Sequence, residues 1–105
     1  MNIPPVPHSW SVTPKQAIAI QKALASSIKQ IKPKRKFRFV AGADLAFSRD
    51  GTRCIAGVIL WDVKERTTVE RHIATRRLTF PYVPGLLSFR EAPAIISACD
   101  PVSSR

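Results

Sequence analysis

Carboxylates are scarce in this chain: seven Asp+Glu stand against 17 Lys+Arg in 105 residues, a formal net charge of +10. A balance this basic favours a polyanionic partner, nucleic acid being the commonest, over a merely soluble basic protein. Cysteine is nearly absent too. Cys54 and Cys99 have no CxxC or His-flanked spacing, which excludes a zinc motif and a disulfide framework and leaves two buried, reduced thiols as the expectation. No window approaches the ~18 apolar residues of a membrane span, and Met1 to Trp10 lacks a basic region followed by an apolar run, so the chain reads as soluble and cytoplasmic. There is no internal repeat. With 45% hydrophobic and 23% charged residues, the composition fits one small folded domain and not a disordered chain.

Residues 1–12, with three prolines around His8 and Trp10, read as an extended arm anchored by Trp10; residues 13–105 read as the domain. Thr13-Pro14-Lys15-Gln16 combines an N-cap, a proline at the first helical position and a capping-box glutamine, so it starts a helix. Ala17, Ile20, Leu24 and Ile28 recur at helical spacing and extend that helix to about Gln30 as one core-facing stripe. Lys32-Pro33-Lys34-Arg35-Lys36 is a basic linker, a solvated loop or a phosphate contact.

From Phe37 to Phe47 the period changes to two. Ser48-Arg49-Asp50-Gly51 is turn chemistry, and the apolar run Cys54 to Trp61 reads as a strand buried on both faces. A second turn at 62–66 and the alternation from Thr67 to Thr79 complete a three-stranded antiparallel meander. A helix follows from about Leu86 to Cys99, in which Pro93 predicts a bend or a restart. The fold class is therefore α/β in the α+β sense: helix, meander, helix.

The most site-like stretch is Thr79 to Glu91, TFPYVPGLLSFRE. Pro81 and Pro84 fix their own φ and restrict the residues before them, so Tyr82 rides on a stiffened loop and is suited to act as a wedge. Gly85 relieves the backbone, and Ser88 with Glu91 spells a capping box. Asp44 is the anomaly of the first strand, sharing the parity of Val40, Gly42 and Ala46 within an apolar segment, where aspartate is disfavoured and costly to bury unpaired. It reads either as a carboxylate paired with a nearby arginine or as a hard oxygen ligand for Mg²⁺, with Glu91 as the second carboxylate.

On Trp10 with PKQAIAIQ (14–21), VAGADLAF (40–47) and TFPYVPGLLSFRE (79–91), the chain resembles the endonuclease V family over nearly all of Trp10 to Ala98. The resemblance implies part of a ribonuclease-H-like fold and a DNA repair endonuclease that hydrolyses the second phosphodiester bond 3′ to deoxyinosine. It implies Mg²⁺, or Mn²⁺, as cofactor and DNA containing deaminated bases as partner, with RNA as an alternative, for a monomer. By motif, Asp44 and Glu91 match the catalytic, metal-binding carboxylates. Pro81, Tyr82, Val83 and Pro84 match the strand-parting wedge, Val83 standing where isoleucine is commoner, and Gly85 lines the pocket for the extruded base. Lys34, Arg35, Lys36 and Arg90 are candidate phosphate contacts.

The family's third catalytic aspartate, on a further strand, has no counterpart up to Arg105, nor have its lysine and histidine-bearing element. Asp100, before a proline at a helix end, is no substitute. The expectation is a truncated domain with impaired cleavage. The alternative is a non-catalytic nucleic-acid-binding remnant using the basic residues, Arg71, Arg76 and Arg77 included, and stacking on Tyr82.

Overall fold

Thr13 opens the first element of the structure, a computed structural model that describes residues 1–103. Its hydroxyl accepts the Gln16 amide N–H at 3.2 Å while the Gln16 side chain accepts the Thr13 N–H at 2.9 Å, a complete capping box that starts α1 (Pro14–Ala25). The helix stops five residues short of the sequence expectation. Of its apolar stripe only Ala17 is fully buried, Ile20 is half-buried, and Ile28 stands 71% exposed beyond the helix end.

Three strands follow, β1 (Phe39–Phe47), β2 (Arg53–Asp62) and β3 (Thr67–Arg77), in an antiparallel sheet of order β1-β2-β3. The expected meander is thus present, and α2 (Leu87–Cys99) closes it on one face. Cys54, Ala56, Val58 and Leu60 of β2 meet Ala94 and Ala98 of α2, with Val102 beyond it, in one buried cluster. Cys54 and Cys99 are free thiols.

The other sheet face is open, which corrects the expectation of a β2 buried on both sides. Ile55, Ile59 and Trp61 are exposed, as are Val40 on β1 and Ile73 on β3. Alternation is what an antiparallel sheet with a single covered face produces, and the apolar run hides it because both faces carry apolar side chains.

Both turns are tied by an aspartate. In the first, Asp50 Oδ1 accepts from Ser48 Oγ at 2.7 Å and from the Thr52 amide and hydroxyl, and these bonds hold its carboxyl down to about 2. In the second, buried Asp62 takes both Nε and Nη2 of Arg38 and caps the amides of Lys64 and Glu65. The Arg38 hydrogen bond is the main cause that lowers the Asp62 carboxyl and, in return, raises the guanidinium. A depressed carboxyl contributes stability that is present above its unfolded pKa, about 3.9, and is lost as pH falls through the folded value. Thermal midpoints are therefore expected to hold from neutral pH down to about 5 and to decline through the window from about 4 to about 2. Asp62→Asn should lower the midpoint by several degrees at neutral pH and flatten that acid limb; an unchanged acid limb would refute the assignment.

α2 departs from the sequence expectation at two points. Its N-cap is Leu86, which makes no side-chain cap hydrogen bond, so the Ser88–Glu91 capping box does not form. Pro93 neither ends nor restarts the helix; it lacks the N–H that would reach the Phe89 carbonyl, and its own carbonyl accepts the Ser97 hydroxyl at 3.0 Å. No helix among the described residues is long and apolar enough to cross a membrane.

Candidate functional site

The loop between β3 and α2 is bolted at several points. Phe80 and Leu86 are buried with Phe89 and Ala17, against half-buried Trp10, Val12, Ile20 and Val83. Arg90 Nη1 donates to the Phe80 carbonyl at 2.9 Å, and Gln21 Nε2 of α1 donates to the Gly85 carbonyl at 3.1 Å. The Leu86 amide donates to the Val83 carbonyl at 3.0 Å, closing a turn with Pro84 and Gly85 at its centre. Gly85 has φ +86°, which the second central position of such a turn requires and which glycine adopts without steric cost. Between these anchors Tyr82 projects, 71% exposed. An exposed aromatic on so constrained a loop has little conformational entropy left to lose when it meets a partner.

Asp44 lies on the open face of the sheet, opposite Gly57 in register. Its Oδ1 accepts the following Leu45 amide at 2.8 Å. Nothing lies within 4 Å of where a Cβ on Gly57 would sit, so there is open space beside the carboxylate. The arginine partner considered from the sequence is not there among the described residues.

Glu91 sits in the second turn of α2, half-buried, with no hydrogen bond or ion pair among the described residues. Because the capping box is absent, its carboxylate is not consumed by the helix terminus. The preceding Arg90 stacks over the Phe47 ring, 5.7 Å from guanidinium carbon to centroid, and so ties the start of α2 to the end of β1 that carries Asp44.

The candidate phosphate contacts do not form one patch. Lys34, Arg35 and Lys36 lie in the exposed segment before β1, where Arg35 and Lys36 border a cavity of about 380 Å³. Arg90 is at the far end of that strand, roughly 27 Å away along an extended chain. Gln21, the anchor of the Gly85 carbonyl, was missed by sequence reasoning; nothing in the surrounding residues marks it, since its partner is 64 positions away.

Asp44 and Glu91 are hard-oxygen donors of the type that holds Mg²⁺, one or two carboxylates completed by water and substrate phosphates, but Asp44 stands on the open sheet face and Glu91 on the helix that covers the other. No group of three or more His, Cys, Asp or Glu able to hold a metal occurs among the described residues. A cage built from protein ligands alone does not fit here.

The endonuclease V family model matches residues 22–105. An endonuclease V from Trichormus variabilis is 38% identical over 100 residues, spanning 94% of this chain and 45% of that protein. The crystal structure of the Streptomyces avermitilis endonuclease V superposes with TM-score 0.81 at 30% identity, covering 94% of this chain and 44% of that one. A Ciona intestinalis endonuclease V, solved with a 23mer DNA containing an inosine followed by a ribo-adenosine, shares the fold at TM-score 0.70 and 19% identity, over 82% and 39% of the two chains. The chain thus spans less than half the length of each of these relatives. With the family model matching residues 22–105, most of the sequence, the chain belongs to the endonuclease V family.

Proposed function

We propose that this chain forms the lesion-parting edge of a nuclease that acts at deaminated bases in DNA, with Tyr82 as the wedge and Asp44 and Glu91 as carboxylates of a divalent-metal site. The observation that carries the reading is Tyr82: an aromatic 71% exposed, flanked by Pro81 and Pro84, on a loop held by Arg90 and Gln21. A base must leave the stack before it can be read, and a rigid aromatic inserted in its place offsets an unstacking cost of a few kcal/mol. Val83 turns inward as a half-buried anchor, while Gly85 leaves the loop free of a side chain beside the space an extruded base would take. The bound metal, Mg²⁺ or Mn²⁺, would polarise the phosphate and activate water. Asp44 presents its carboxylate on the open face and Glu91 from α2, and Arg90 keeps the helix start against the strand end.

The reading extends to the finer reaction the family implies, hydrolysis of the second phosphodiester bond 3′ to inosine. The test is nicking of an inosine-containing duplex beside an undamaged duplex, with Mg²⁺ and with EDTA. Weak, impaired metal-dependent cleavage confined to the inosine strand is the expected result, and Tyr82→Ala should erase most of the preference for inosine while leaving the thermal midpoint within about 1 °C, as for an exposed side chain. Equal cleavage of both duplexes, or a Tyr82→Ala protein with full discrimination, would overturn it.

A further inference from the structure

At the end of the sheet nearest α2's first turn, two arginines face each other with no reason to do so that the fold itself supplies. Arg53, at the start of β2, is the direct cross-strand partner of Arg77, at the end of β3. Directly opposed side chains on an antiparallel pair have Cβ atoms about 5 Å apart, and like charges so placed are destabilising. The acid that acts on Arg53 is Asp50, whose Oδ1 is already taken by Ser48 and Thr52. Neither arginine forms a salt bridge among the described residues.

Around the pair lies a cavity of about 440 Å³ lined by Thr52, Arg53, Thr75, Arg76 and Arg77; Arg53, Arg77 and Thr75 share the open sheet face there, bringing two guanidiniums and a hydroxyl, and no carboxylate lines it. A second, smaller hollow shares Arg76 and Arg77 and continues to Thr79 and Arg90, at the base of the Tyr82 loop. Arg76 is steadied there by donating to Ser97 Oγ of α2 at 2.9 Å. A surface that concentrates positive charge against its own repulsion, supplies planar forks and a hydroxyl, and opens to solvent suits a phosphate oxygen cluster.

We propose that Arg53 and Arg77, with the hydroxyl of Thr75, clamp a phosphodiester of a nucleic-acid strand, and that Arg77 continues this track toward Arg90 and the wedge loop. The proposal rests on the nucleic-acid reading above and deepens it by naming where the strand leaves the lesion edge. Sequence spacing does not reveal the clamp, because Arg53 and Arg77 meet only through the hairpin register.

The test uses fluorescence anisotropy with a labelled, undamaged duplex in EDTA across a salt series, so cleavage does not enter. Three proteins are compared: the parent, Arg53→Gln/Arg77→Gln, and Lys15→Gln/Lys64→Gln, which removes the same charge elsewhere. The clamp variant is expected to bind roughly tenfold more weakly at low salt and to flatten the slope of log K against log[salt] by about one, for the one phosphate that is no longer neutralised. The lysine variant should show less than half of that effect. A thermal melt in parallel should show the clamp variant at least as stable as the parent, because a repulsive pair is gone. Equal weakening in the two variants would overturn the clamp and leave diffuse attraction in its place, as would unchanged binding by the arginine variant. A parent protein that binds no duplex would overturn the nucleic-acid reading itself.

Discussion

Asp44→Ala is expected to remove metal-dependent cleavage of inosine-containing DNA, by roughly 10³-fold or more, while leaving the fold intact. The size follows from the several kcal/mol that metal polarisation of a phosphoryl group supplies, converted at about 1.36 kcal/mol per tenfold in rate. The dissociation between activity and stability follows from position. Asp44 is exposed on the uncovered sheet face, opposite Gly57, and its one protein hydrogen bond is to the adjacent Leu45 amide. Alanine leaves the packed face untouched and removes a residue poorly suited to a strand, so the thermal midpoint should hold or rise slightly. Glu91→Gln should act in the same direction, since it keeps size and removes the charge a divalent cation needs. Duplex binding in EDTA should persist in both variants. Cleavage by Asp44→Ala at the parent rate would sink the assignment of that carboxylate, whatever becomes of the family membership.

Phe89→Ala is the opposite case, with a large expected loss of stability. Phe89 is buried at the first turn of α2 and sits where four parts of the chain meet. Its ring lies 5.6 Å from those of Trp10 and Phe80 and 5.4 Å from His8, and Ala17 of α1 and Leu86 complete the cluster. Truncation of a buried phenylalanine costs about 3–5 kcal/mol. In a domain of this size each kcal/mol shifts the midpoint by about 4–8 °C, so a fall of at least about 12 °C is expected. The N-terminal arm, α1 and the Tyr82 loop share this cluster, so they should loosen together. Limited proteolysis within residues 79–85 would report that loosening. A midpoint within a few degrees of the parent, with the loop still protected, would show that the cluster does not hold the loop.

These two variants separate what local sequence encodes from what packing adds. Asp44 could be picked out in the sequence because it breaks the apolar pattern of its strand, and its shared parity with Val40, Gly42 and Ala46 correctly grouped the residues of one face. Nothing local said which face α2 would cover. The run Cys54 to Trp61 marks a strand, yet three of its seven apolar side chains, Ile55, Ile59 and Trp61, face outward. Ser88 and Glu91 have capping-box spacing, but the helix begins at Leu87, which places Ser88 inside the first turn. A shift of two residues in the N-cap, from Ser88 to Leu86, leaves the Glu91 side chain free of the helix terminus. The pairs Arg38–Asp62 and Arg53–Arg77 each join residues 24 positions apart and exist only because the hairpin registers align them.

By itself the sequence determined the order of elements, both tight turns, the stiffness of the Pro-Tyr-Val-Pro loop and the excess of positive charge. Each depends on sterics, hydrogen bonds or charges carried within a few residues. Only the tertiary structure decided that Asp44 stands on an open face, that Glu91 is free of its helix terminus, that Tyr82 is held outward by Arg90 and Gln21, and that two arginines confront each other at the sheet end. Burial and cross-strand pairing are sums over partners distant in sequence, and no local pattern contains them.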